Sequence, residues 1–103
     1  MKLSSFVALA FVSMPITPTF ANLDLATKNQ CTACHAVDKN VVGPGFQEIA
    51  KKYKGSADAQ GKLAESILKG GSGKWGAIPM PAQTTLSEAD AKTLAAWILS
   101  TAK

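Results

Sequence analysis

The chain has 103 residues, of which 47% are hydrophobic, and a formal net charge of +4 at pH 7. This length allows one domain. The chain is only mildly basic and contains no arginine, so its charge does not indicate a nucleic-acid-binding protein.

Residues 1–21 have the pattern of a secretory signal peptide. Lys2 gives a short positive start, an apolar stretch runs to Met14, and a segment with two prolines ends at Ala21. A membrane span needs about 20 predominantly apolar residues, and Pro15 interrupts this stretch well before that length. We predict cleavage after Ala21 and export to the periplasm, with a retained membrane anchor as the alternative. The domain then comprises residues 22–103.

The Cys-Thr-Ala-Cys-His motif at residues 31–35 is typical of covalent haem attachment. A short helix with Asn22 as its N-cap and Asp24 in its first turn is predicted to deliver this motif. If the motif is helical, Cys31, Cys34 and His35 share one face. Two thiols can then form thioethers to the vinyl groups of haem while the imidazole reaches the iron from the same side.

Three other interpretations of the two cysteines compete with haem attachment. A thioredoxin-like dithiol requires a βαβ setting, and the downstream sequence has no strand pattern. Zinc requires four ligands, whereas the chain has two cysteines and one histidine. A disulfide would close a very short loop and leave His35 without a role. Haem remains the first interpretation, and as a buried apolar group it would also supply part of the core of a small domain.

Residues 40–45 carry the glycine and proline punctuation of a turn. A metal-bound histidine normally donates its other ring N–H to a carbonyl or a carboxylate. We therefore expect a backbone carbonyl near Pro44 to accept a hydrogen bond from His35. The alternative is an ordinary turn that does not contact the histidine.

Three amphipathic helices are predicted after this turn. The first covers residues 46–53, the second starts at Ser56 or Asp58 and ends at Gly70, and the third starts in a capping box at Ser87 and runs to about Thr101. No alternating strand pattern is present. The predicted fold class is all-α, with four to five short helices around one haem.

The glycines and prolines of residues 70–81 predict an ordered loop. Met80 lies between two prolines of this loop and is the only methionine after residue 21. Its thioether is a soft ligand that suits haem iron, so Met80 is predicted as the second iron ligand, with core filling as the alternative. The indole N–H of Trp75 needs an acceptor when buried. We expect it to donate to a haem propionate, with simple packing as the alternative.

Together with the Lys-Trp-Gly-Ala-Ile-Pro-Met-Pro run at residues 74–81 and Ala-Ala-Trp-Ile-Leu-Ser at residues 95–100, these motifs resemble a known family. Over residues 22–103 the chain is similar to short bacterial class I monohaem cytochromes c, of the type associated with periplasmic nitrite reductase. The resemblance implies a proximal His35, a distal Met80 and thioethers at Cys31 and Cys34. It also implies that the Pro44 carbonyl accepts from His35, that Trp75 binds a propionate and that the first and last helices cross near Trp97.

With both axial positions filled, the iron offers no open site to a substrate. The sequence therefore predicts a soluble, monomeric, periplasmic one-electron carrier rather than an enzyme, without nucleic-acid binding or stable membrane insertion. Its redox partners would be a nitrite reductase, oxidase or peroxidase downstream, and a quinol-oxidising complex, copper protein or cytochrome upstream. A gas-binding haem protein and a thiol-disulfide enzyme are the alternatives. Eight lysines either include a positive docking rim or form an ordinary solvated surface: Lys28, Lys39, Lys51, Lys52, Lys54, Lys62, Lys69 and Lys74.

Overall fold

The computed structural model describes the backbone of residues 19–102 and the side chains of residues 22–102. This part of the chain forms α1 (Thr19–Lys28), a 3₁₀ turn (Cys31–Ala33), α2 (Phe46–Tyr53), α3 (Ala59–Lys69) and α4 (Glu88–Ser100). Two isolated bridges are the only β-type pairings between residues 19 and 102, so the predicted all-α class is confirmed. No helix in the same range has the length and hydropathy to cross a membrane. The predicted signal peptide lies outside the described residues, apart from the backbone of its last three positions.

The start and the end of α1 differ from the prediction. The structure describes the helix from Thr19 onward, so Asn22 and Asp24 lie inside the helix instead of at its N-terminus. The helix also stops at Lys28, before the cysteine motif. Gln30 takes a left-handed conformation with φ of 63°, and the Asn29 side chain donates to the Leu25 carbonyl at 2.9 Å.

Helices α2 and α3 follow the predicted apolar stripes. Burying these stripes is what makes short helices stable, since isolated helices of this length are marginal in water. The buried residues are Phe46, Ile49, Ala50 and Tyr53 in α2 and Leu63, Ala64 and Ile67 in α3. Gly70 ends α3 with a φ of 69°, a conformation that favours glycine.

Helix α4 is the centre of the packing, because it contacts α1, α2 and α3. Its N-terminus is capped as predicted, with the Ser87 hydroxyl accepting from the Asp90 N–H at 3.1 Å. The Trp97 ring packs edge-on against Phe46, with ring centroids 5.2 Å apart. The buried residues of the helix are Ala91, Leu94, Ala95, Trp97 and Ile98.

Candidate haem-binding site

A cleft lies between the helical core and the loop formed by residues 70–81. It contains about 1240 Å³ of empty space, including the part that is open to solvent, and its walls are mainly apolar. The structure brings all six predicted site residues to this one cleft. They are Cys31, Cys34, His35, Pro44, Trp75 and Met80.

The cysteine motif forms one tight turn at the cleft wall. The N–H groups of Cys34 and His35 both donate to the Cys31 carbonyl, at 3.2 and 2.9 Å, and both thiols are free and partly buried. Burial raises the pKa of Cys31; a backbone hydrogen bond opposes this effect and the neighbouring Cys34 adds to it. The surroundings of Cys31 therefore disfavour its thiolate form.

The His35 ring is held in one orientation. Its Nδ1 lies 2.7 Å from the Pro44 carbonyl oxygen, and because a carbonyl can only accept, Nδ1 carries the proton and the Nε2 lone pair stays available. Phe46 stacks on the imidazole at a centroid distance of 5.3 Å and an interplanar angle of 24°. A Cβ at Gly43 would lie 2.6 Å from His35 Cε1, so only glycine leaves room for the ring.

Two further hydrogen bonds shape the loop that carries Pro44. The Gly43 N–H donates to the Cys34 carbonyl at 2.8 Å, and the Gly45 N–H donates to Asn40 Oδ1 at 2.7 Å. The sequence indicated a turn here but not these roles of Gly43 and Asn40. The glycine directly before the proline was the available signal, since it marks a place where backbone and side chain approach closely.

Met80 is anchored through its backbone. Its N–H donates to the Gly71 carbonyl at 2.8 Å, and its carbonyl accepts from the Gly71 N–H at 3.1 Å. A Cβ at Gly70 would collide with the Met80 carbonyl oxygen, so the close approach of the two loop ends requires glycine. The half-buried Met80 side chain lines the cleft.

Two lysine–aromatic contacts connect the loop to α2. Lys52 Nζ lies 4.5 Å from the centroid of the Trp75 ring, which is 41% exposed. Lys74 Nζ lies 2.6 Å from the Tyr53 hydroxyl. The sequence indicated an amphipathic helix that ends at residue 53 and placed Lys74 among eight lysines of a docking rim or an ordinary surface. It did not indicate this contact, because nothing in the spacing shows that the loop returns to α2.

The family model for cytochrome c matches residues 24–102. The chain belongs to the cytochrome c family. It is 54% identical over 80 residues to cytochrome c-552 of Nitrosomonas europaea, an alignment that covers 78% of each chain. It is 44% identical over 92 residues to cytochrome c-551 of Allochromatium vinosum, covering 88% of this chain and 98% of the relative. The crystal structure of wild-type Nitrosomonas europaea cytochrome c552 is similar with a TM-score of 0.76 and 53% identity, covering 77% of this chain and 98% of that chain.

These comparisons confirm the resemblance to short class I cytochromes c and the predicted cytochrome c fold, and the family implies a covalently attached haem c with iron. The residues of the cleft fit such a group. The cleft offers two free thiols, an imidazole with an available Nε2, a thioether and apolar walls. Among the described residues no three His, Cys, Asp or Glu side chains come together as metal ligands.

We expect Gly43→Ala to destabilise the protein by about 1–3 kcal/mol, the usual cost of forcing an extra methyl group into a packed site. The new Cβ would push the His35 ring away from Phe46 and from the Pro44 carbonyl. Guanidinium chloride unfolding of the purified haem-containing protein measures the change. Gly71→Ala is the control, since a Cβ there meets nothing within 4 Å; equal losses in the two variants would show that crowding at His35 is not the cause.

Proposed function

We propose that this protein is a periplasmic one-electron carrier in which His35 and Met80 are the axial ligands of a haem joined to Cys31 and Cys34. The observation that carries the proposal is the pairing of an imidazole, whose Nδ1 is already bonded to Pro44, with a thioether at the same cleft. Cytochromes c of this kind are electron carriers, and the assignment of the two ligands accounts for the carrier role.

When bound, the haem supplies an Fe(III)/Fe(II) couple that accepts and releases one electron. His35 would hold the iron through Nε2, and its hydrogen bond to Pro44 increases the basicity of that nitrogen and fixes the ring plane. Met80 would supply a thioether, a soft donor that raises the reduction potential. Filling both positions leaves no place for a substrate, so the protein transfers electrons and is not an enzyme.

Trp75 is proposed to donate its indole N–H to a haem propionate. The ring lines the cleft and is held from outside by the Lys52 ammonium group at 4.5 Å. The indole N–H is a donor without an acceptor role, and a carboxylate is the strongest acceptor that a haem offers.

The partner is proposed to dock at the mouth of the cleft, where electrons have the shortest route to the haem. Three exposed large apolar side chains line this cleft: Val42, Trp75 and Ile78. Lys74 also lines it, and Lys52 lies over the Trp75 ring. A small apolar contact with a positive rim suits a brief encounter with an acidic surface, such as that of a nitrite reductase, an oxidase or a peroxidase.

The ligand assignment is tested by visible spectroscopy of wild type and Met80→Ala, after acid-acetone treatment has shown that the haem stays attached. The wild type should give a sharp low-spin reduced spectrum and a weak red band in the oxidised form. Met80→Ala should lose that band and lower the reduction potential by a sizeable part of the roughly 0.8 V range that axial ligands control.

Ile78→Ala, in the same loop and 66% exposed, is the matched control and should keep the wild-type spectrum. An unaltered spectrum and potential in Met80→Ala would mean that Met80 is not a ligand. A high-spin wild-type protein that binds carbon monoxide when reduced would favour a gas-binding function instead, and a colourless protein would favour thiol chemistry.

The proposed export predicts that protein from the periplasmic fraction begins at Asn22 and carries the added mass of one haem. Intact mass spectrometry measures both. Ala21→Arg should accumulate the longer precursor because small residues are needed before the cleavage site, whereas Asp24→Asn should be processed normally. A mass that includes residues 1–21 in the wild type would favour the retained anchor.

Electron transfer to the partner should slow severalfold as salt is raised, because the Debye length falls from about 10 Å at 0.1 M to about 3 Å at 1 M. Stopped-flow measurements give the second-order rate constant. Lys52→Gln, at the cleft mouth, should lower the rate and flatten its salt dependence. Lys92→Gln removes an equal charge, which is paired with Glu88 on α4, and should change the rate constant and its salt dependence little. A rate independent of salt in the wild type would favour purely apolar docking.

A further inference from the structure

The cleft has a polar corner where α2, α3 and the loop of residues 70–81 meet. Lys74 Nζ lies 2.6 Å from the Tyr53 hydroxyl and 4.7 Å from the centroid of its ring. Tyr53, Ser66 and Lys74 all line the cleft. One ammonium group and two hydroxyls therefore stand beside an otherwise mainly apolar wall.

Lys74 pairs with no carboxylate among the described residues. Lys51, Lys69 and Lys92 each pair with a glutamate, whereas Lys74 contacts a phenol at the cleft wall. Glu65 also lies beside this corner, but Lys69 occupies it at 2.8 Å. A cation held at an apolar wall without a carboxylate gains most from an anionic ligand.

The ionisation of Tyr53 reports the positive charge of this corner. Burial raises the pKa of Tyr53, but hydrogen bonds from Lys74 and Ser66 and the charges of Lys74 and Lys52 outweigh burial, so that the pKa lies below its ordinary value. The environment that favours a phenolate also favours a carboxylate placed next to it.

Haem is an apolar disc with two carboxylate side chains on one edge. The attachment motif fixes the disc near Cys31 and Cys34, and the carboxylates must reach either water or a cation. The Lys52 ammonium group lies over the Trp75 ring and donates to the Lys74 carbonyl at 3.5 Å, so it contacts two neighbouring residues of the loop at this corner.

We propose that Lys74 is the counter-ion of one haem carboxylate and that Tyr53 is the positioning residue that holds its ammonium group. This inference rests on the proposed function and adds a charged partner to the indole of Trp75. Lys74 donates to the phenol oxygen, so the Tyr53 O–H stays free to donate to the same carboxylate. The ammonium group offsets the negative charge beside the iron and so favours the reduced state.

The test is a spectroscopic redox equilibrium between each purified haem-containing variant and a reference redox dye at pH 7 and low salt. Lys74→Gln should shift the equilibrium constant toward the oxidised protein by about threefold or more, as expected for a unit charge at a partly buried site. Lys74→Arg should restore most of the wild-type value. Tyr53→Phe, which keeps the ring but loses the hydroxyl, should shift it in the same direction by less.

Lys51→Gln is the matched control. It also removes one positive charge, but from an exposed position on α2 where Lys51 is paired with Glu48. The proposal is wrong if Lys74→Gln keeps an intact low-spin spectrum and shifts the equilibrium no more than Lys51→Gln does. Lys74 would then only tether the loop, and thermal unfolding of Lys74→Gln would show a lower Tm. Should Lys74→Gln not accumulate, an unchanged equilibrium in Tyr53→Phe would equally overturn it. A high-spin wild-type spectrum would instead overturn the proposed function itself.

Discussion

The hydrogen bond between His35 and the Pro44 carbonyl is the contact on which the rest of the site depends. It spans nine residues at 2.7 Å and fixes the tautomer, the plane and the free nitrogen of the imidazole in one step. The ring is also stacked on Phe46, which in turn contacts Trp97 of α4. The orientation of the proposed iron ligand is therefore connected directly to the centre of the helical core.

The two sides of the cleft are supported in different ways. On the His35 side, ring stacking and a side-chain hydrogen bond hold the donor atom itself. On the other side, the described contacts hold Met80 through its backbone, by the paired hydrogen bonds with Gly71, and residues 71–79 are exposed. A long, flexible thioether on an anchored backbone could adjust its position as the proposed iron ligand, whereas the imidazole already has a fixed orientation.

Local sequence signals were sufficient for most of the helices. The apolar stripes of α2 and α3 and the cap at Ser87 follow from spacing and residue type. The cysteine motif and the methionine between two prolines marked candidate residues that the fold brings to one cleft. The end of α1 could not be predicted from the sequence, because glutamine rarely takes the left-handed conformation seen at Gln30. The contact between Lys74 and Tyr53 joins residues 21 positions apart, and its formation depends on the path of a loop that no periodic pattern describes.

The walls of the cleft and the hydrophobic core share the same side chains. Eight buried core residues also line the cleft: Ala26, Phe46, Ile49, Tyr53, Leu63, Ile67, Leu94 and Ile98. In a domain this small, the chain alone buries a modest fraction of its apolar surface. A flat apolar group in the cleft covers the side of these eight residues that faces the cleft, so its binding adds to the stability of the fold. Because the helices that build the core also shape the cleft, the same packing that stabilises the protein sets the orientation of its proposed redox centre.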